Sequence, residues 1–346
     1  MRGGIFFPRE PNDPTAVSKC SGDGQRQNLP PCSLHCRGCI PFTSGHRTSH
    51  QPLRTTQISR TAIARISTLH SGRCGNGVGR RDRHPSRRQL VTGLEKGAFR
   101  LFEDGVEQEI LSFSSEDAPI SIGLIFDMSG SMSDKVDESR QGALEFLKTA
   151  NPRDEFFLVS FSDQAELTSP FTFDFEELQK SVMSGKPKGR TALLDAIYLG
   201  LNQMKGARYS RYALLVISDG GDNHSRYNKT QLRNALKEAD CSLYAVGFFR
   251  FKDILRSIEE HNGPGLLSEL AETTGGRMFP VLRLDELPHL GAKIGMALRN
   301  RSVLEYRPSD ARHDGAWRRI KVKVVPPAHL QPLNVYARTG YYSPSD

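Results

Sequence analysis

From residue 120 onward, short apolar runs alternate with segments in which apolar residues recur every three or four positions. The runs at 120–126, 156–161, 212–217 and 243–248 are short and almost unbroken by polar residues, the pattern of strands covered on both faces. Segments 136–149, 175–183, 192–204, 230–239, 266–274 and 285–299 carry helical periodicity. A further short strand is predicted at 277–281. Residues 166–173 read as an antiparallel edge strand, joined to 156–161 by the turn Ser162-Asp163-Gln164. Such alternation predicts an α/β fold, a doubly wound and mostly parallel sheet with helices on both faces.

Both flanks of this segment change to a period of two. Residues 91–113 hold a turn at Glu103-Asp104-Gly105 between two short alternating stretches, a hairpin signal. Beyond residue 300, strands are predicted at 302–306, 320–325 and 334–338, separated by loops with Pro308, Gly315, Pro326 and Pro327. Isolated hairpins are marginal in water, so the two flanks are expected to pair in one small accessory β-unit. The organisation read from sequence is therefore 90–118 and 301–346 as the two parts of that unit, around an α/β domain at 119–300.

Composition sets residues 1–89 apart. They show neither periodicity, and are dense in Arg, Ser, Pro, Gly, His and Cys, which leaves too little apolar surface to offset the entropy of ordering. The expectation is a disordered segment, and the 14 Arg against 1 Lys raise the alternative of translation from a wrong frame or start. The same segment holds the basic excess of the chain, +11 against −3 for the remainder, so the overall +8 does not describe the globular part. The basic cluster at 79–88 has no interleaved aromatics and reads as a solvated tail; nucleic acid is not the expected partner. Five of the six cysteines also precede residue 90, and Cys241 reads as a small core residue. No apolar run approaches the ~18 residues of a membrane span. The opening residues, broken by Pro8 and charge, do not resemble a secretory signal, which by itself would leave the chain cytoplasmic.

The candidate chemistry starts where the first buried run ends. Asp127, Ser129 and Ser131 follow at alternate positions through a turn containing Gly130, at the carboxyl end of a buried strand, where open α/β sheets bind ligands. Carboxylate and hydroxyl oxygens are hard donors suited to Mg²⁺, with Mn²⁺ or Ca²⁺ as alternatives. The competing structural reading is a turn and helix cap, for which Ser and Asp are preferred. Two more junctions can complete a set of about six ligands: Thr191 before a predicted helix and Asp219 beyond the strand 212–217. Asp195 reads as a first-turn acid favoured by the helix dipole. Asp222, Asn223 and Ser225 read as caps of the following helix or as rim contacts.

Asp-x-Ser-x-Ser, a Thr about sixty residues on and Ser-Asp-Gly about thirty further resemble the metal-ion-dependent adhesion site of the von Willebrand factor type A fold. Phe99-Arg-Leu-Phe-Glu-Asp-Gly105, Trp317-Arg-Arg-Ile-Lys-Val-Lys-Val324 and Arg338-Thr-Gly-Tyr-Tyr-Ser-Pro344 resemble the related domain family of Acidobacteria; the likeness covers roughly residues 90–344. It implies direct coordination by Ser129 and Ser131, coordination by Thr191 directly or through water, and largely water-mediated contacts from Asp127 and Asp219. It also implies an open position completed by Glu or Asp of a protein partner, and an exported protein. A dication with few direct carboxylates favours an anionic ligand on charge alone.

The function read from sequence is thus a divalent-metal-dependent, adhesion-type protein-binding module and not an enzyme. The alternative is a Mg²⁺-dependent phosphoryl-transfer hydrolase with Asp127 as nucleophile. Such hydrolases generally carry a second Asp two residues on, where this chain has Ser129. Cys32-x₃-Cys36-x₂-Cys39 has the spacing of an iron–sulfur motif but no preceding strand or following barrel, and reads as coincidence.

Overall fold

The computed structural model describes residues 62–71, 88–90, 94–116, 118–249, 258–283, 286–310, 312–325 and 333–345 of the 346. In chain order the elements are β1 (Ala62–Ser71), β2 (Arg88–Leu90), β3 (Phe99–Glu103), β4 (Val106–Gln108), β5 (Ile110–Glu116), β6 (Ser121–Asp127), α1 (Val136–Leu147), β7 (Glu155–Phe161), β8 (Ala165–Thr172), α2 (Phe175–Met183), α3 (Leu193–Met204) and β9 (Tyr212–Ser218). They continue as α4 (Lys229–Glu238), β10 (Ser242–Phe248), α5 (Ile258–Thr273), β11 (Met278–Val281), α6 (Leu287–Arg299), β12 (Arg301–Tyr306), β13 (Trp317–Val324), β14 (Leu333–Ala337) and β15 (Gly340–Tyr342).

Six strands form the central sheet in the order β8-β7-β6-β9-β10-β11, all parallel except the edge strand β8. The expected α/β, doubly wound and mostly parallel sheet is therefore present. Successive residues of each strand face opposite sides, so the continuous apolar runs feed two cores. Ile122, Leu124 and Phe126 of β6 pack with α1, α2 and α6; Ile125, with Phe157 and Val159 of β7, packs with α3, α4 and α5. The chain winds outward from β6 through β7 and β8, then returns to lay β9 on the other side of β6. That reversal makes the carboxyl ends of β6 and β9 the switch point, where a crevice opens between diverging connections.

One helix is longer than the sequence pattern shows. α5 begins at Ile258, eight residues before the predicted start at 266, and runs through Gly263-Pro264-Gly265. A Pro removes only one helical donor, and tertiary packing outweighs propensity here. Gly263 packs so closely that a Cβ would lie 2.6 Å from the Asp219 carbonyl oxygen. The helix-breaking residue is there because side-chain space is absent.

The flanking segments form two further sheets. One has the order β14-β1-β12-β5, with β2 on β1; the other is β15-β13-β3-β4. The predicted hairpin is β3–β4, its Asp104 and Gly105 at φ 46° and 89° as a tight right-twisted turn requires. Segments before and after the α/β domain pair directly, β5 with β12 and β3 with β13. The two sheets share a core of Ile66, Phe99, Leu101, Ile110, Leu304, Tyr306 and Ile320. β1 lies inside the stretch expected to be disordered, yet forms antiparallel ladders with β12 and β14. Its alternation of short apolar and polar residues is too weak to stand out without the two partner strands. The cysteine motif at 32–39 and the basic cluster at 79–87 lie outside the described residues.

Candidate functional site

β6 delivers Asp127 fully buried at the switch point. Its Oδ1 accepts a hydrogen bond from Ser129 N at 2.9 Å, an Asx turn that bends the chain away from the sheet. Its Oδ2 accepts from Ser218 Oγ at 2.5 Å, tying the ends of β6 and β9 together. A single 3₁₀ turn, Gly130–Met132, follows, and Ser129 Oγ lies 3.1 Å from Ser131 Oγ. Burial, and then the charge of Asp219, push the Asp127 carboxyl up to about 7 against the bonds from Ser129 and Ser218.

The second junction is pinned onto this turn by backbone bonds. Lys188 N donates to Met128 O at 2.9 Å and Gly130 N to Gly189 O at 3.0 Å. Gly189 sits at φ 75°, and a Cβ there would meet the Asp163 carboxylate at 2.3 Å. Thr191, buried just beyond, donates its N–H to Asn223 Oδ1 at 2.9 Å, and its carbonyl accepts from Asn223 N and His224 N. The start of α3 is capped across the chain by Asp222 on Leu194 N and Ser225 on Asp195 N. The side chains expected to cap the following helix thus cap α3 instead, while Asn228 forms the capping box of α4. Capping from outside leaves the Thr191 hydroxyl free of that task. Asp195 is likewise more than a first-turn acid: Oδ1 accepts from Arg226 N at 2.9 Å and Tyr227 N at 3.0 Å, anchoring the loop that positions Thr191.

The third junction places Asp219 at the end of β9. Gly220, at φ 85°, turns the chain where a Cβ would lie 2.6 Å from Gly263 O, so Ser-Asp-Gly needs its glycine. Asp219 Oδ2 accepts from Lys135 Nζ at 3.0 Å, a salt bridge with both side chains buried. Lys135 also lines a cleft of about 260 Å³ beside α1, with Glu138, Phe248 and Val281. Sequence reasoning missed Lys135 and Ser218. Ser218 stood in the quoted motif as a neighbour of Asp219, whereas Lys135 precedes α1 with no pattern to mark it.

Two carboxylates, Asp127 and Asp219, and the hydroxyls of Ser129, Ser131 and Thr191 come from loops that meet at the switch point. No cluster of three or more His, Cys, Asp or Glu suited to a metal occurs among the described residues. The donors here are oxygens, three of the five groups neutral, which matches a hard cation and not a soft one.

Residues 122–221 match the sequence profile of the family described as von Willebrand factor type A domain. That segment is similar to a von Willebrand factor type A domain. An uncharacterized protein of Borreliella burgdorferi is 26% identical over 187 residues, covering 47% of this chain and 54% of that protein. Inter alpha-trypsin inhibitor heavy chain 4 of Mus musculus is 28% identical over 155 residues, covering 39% of this chain and 16% of its own length. The chain thus spans about half, or less, of the curated relatives it matches. Among solved structures, a von Willebrand factor type A protein of Catenulispora acidiphila aligns at TM-score 0.44 and 10% identity, over 83% of this chain and 75% of that one. The vWF domain of the type V pili tip protein Mfa5 from Porphyromonas gingivalis aligns at TM-score 0.44 and 12% identity, over 52% and 95%. No described helix is long and apolar enough to cross a membrane.

Proposed function

We propose that this domain is an adhesion-type binding module that holds a divalent cation, Mg²⁺ first, on Asp127, Ser129, Ser131, Thr191 and Asp219, and captures a Glu or Asp of a protein partner. The observation that carries this is the convergence of three junctions on one buried point, with donors that are oxygen only and partly neutral. The raised Asp127 carboxyl supports it: two acids share a buried space, an arrangement relieved by a cation. With Asp127 and Asp219 acting largely through water and the direct contacts made by neutral hydroxyls, the dication favours an anionic side chain as its completing ligand. On this reading the partner surface lies at the carboxyl end of the sheet.

Nucleophilic use of Asp127 is the weaker reading. Both carboxylate oxygens are engaged, by Ser129 N and by Ser218 Oγ, and the side chain has no exposure. The segments Phe99–Gly105 and Trp317–Val324, which pair as neighbouring strands, support the finer assignment to the Acidobacteria-type relatives. The test is capture of a partner by immobilised full-length chain in Mg²⁺ and in chelator. Capture that needs the cation and is lost in Ser129→Ala supports the reading; a chelator-insensitive complex removes it.

A further inference from the structure

Among the described residues Lys135 is the one buried ammonium at the switch point, and the binding reading above does not use it. Its Nζ lies 3.0 Å from Asp219 Oδ2, and the side chains are 3% and 4% exposed. A buried pair of this kind is seldom a net gain in stability over apolar packing, so its placement calls for another role. Of the charged side chains buried at the ends of β6 and β9 and in the turn after β6, Asp127 and Asp219 contribute two negative charges when both are ionised and Lys135 one positive. The protein therefore presents an incoming dication with a net charge of about −1 rather than −2, and the loaded site keeps about one positive charge uncompensated.

We propose that Lys135 is a resident counter-ion that tunes this site: it offsets Asp219, weakens the grip on the cation, and so reserves the cation's remaining charge for the anionic group of the partner. The inference rests on the metal-binding reading. It differs from that reading in what it asks of a residue that does not touch the cation. Without Lys135, two carboxylates would neutralise the dication, making a tighter metal site and a poorer anion receptor. With it, the affinities for cation and for carboxylate are traded against each other. The position is built for this: Lys135 N is fixed by a bond to Met132 O at 2.9 Å, within the turn that carries Ser129 and Ser131.

The experiment compares the full chain as wild type, Lys135→Met, Lys135→Gln and Lys135→Arg. Each is titrated with MnCl₂ by calorimetry, then, loaded with Mn²⁺, with the end-blocked peptide Gly-Gly-Glu-Gly-Gly. Thermal unfolding checks that each variant is folded. The glutamine keeps a donor for Asp219 without the charge, and carries the test if the methionine variant does not fold. Removal of the charge is expected to tighten Mn²⁺ binding by about tenfold or more and to weaken peptide binding by a similar factor. Lys135→Arg, which restores the charge, is expected to stay within about threefold of wild type on both. Unchanged or weaker Mn²⁺ binding by the folded neutral variants overturns the role of Lys135 while leaving the metal site. No Mn²⁺ binding by the wild type overturns the metal reading and this inference with it.

Discussion

Replacing Asp127 by Asn isolates what the cation site does to the fold when no cation is bound. In the folded chain the carboxyl is pushed from 3.8 to about 7 by burial and by Asp219. Because the folded value is raised, the side chain adds no penalty below about pH 4, where it is neutral in both states. The penalty grows between about pH 4 and 7 and is complete above that. At ~1.36 kcal/mol per unit, about three units make it about 4 kcal/mol. Asn keeps the acceptor for Ser129 N but loses the short bond from Ser218 Oγ, a loss of about 1–2 kcal/mol. The expected net in chelator is a gain of about 2 kcal/mol for Asp127→Asn at about pH 8, vanishing or reversing at about pH 4.5. Urea unfolding followed by circular dichroism at both pH values, with and without Mg²⁺, measures it; added Mg²⁺ is expected to stabilise the wild type alone. A variant less stable than wild type by the same amount at both pH values refutes the reasoning, because it would show a carboxyl whose charge costs the fold nothing.

Other outcomes follow from single contacts. Asp195→Ala removes the acceptor of Arg226 N and Tyr227 N and is expected to destabilise by about 2–3 kcal/mol, with faster amide exchange confined first to 222–228. Gly220→Ala meets the Gly263 backbone at 2.6 Å and forces an L side chain to φ 85°, so Mn²⁺ affinity and thermal stability should fall together. Arg211→Met deletes bonds to the carbonyls of Ala118, Leu298 and Arg299, which join the entry to β6 with the exit of α6; urea unfolding should show a loss of about 3 kcal/mol or more. Gly123→Ala places a methyl group 2.2 Å from the Phe157 ring and should cost about 1–3 kcal/mol by the same assay.

The parts of the molecule legible in the sequence are those governed by periodicity. β6, β7, β9 and β10 lie within one residue of the predicted runs, because strands buried on both faces must be apolar throughout. The edge strand β8 was readable as antiparallel from its short turn. What escaped depends on partners distant in sequence. β1 takes its order from β12 and β14, and β15 from β13; α5 extends through Gly263-Pro264-Gly265, where its backbone packs against the Asp219 turn. At the site, spacing pointed to Asp127, Ser129, Ser131, Thr191 and Asp219, which the fold gathers at one switch point. Lys135 and Ser218 act through charge and hydrogen bonding across strands, which no local pattern records.

The most direct test is calorimetric titration of MnCl₂ into the full chain, wild type against Asp127→Ala. One cation bound by the wild type and none by the variant is the expected result. Equal binding by both, with the variant folded, would contradict a cation site at the end of β6.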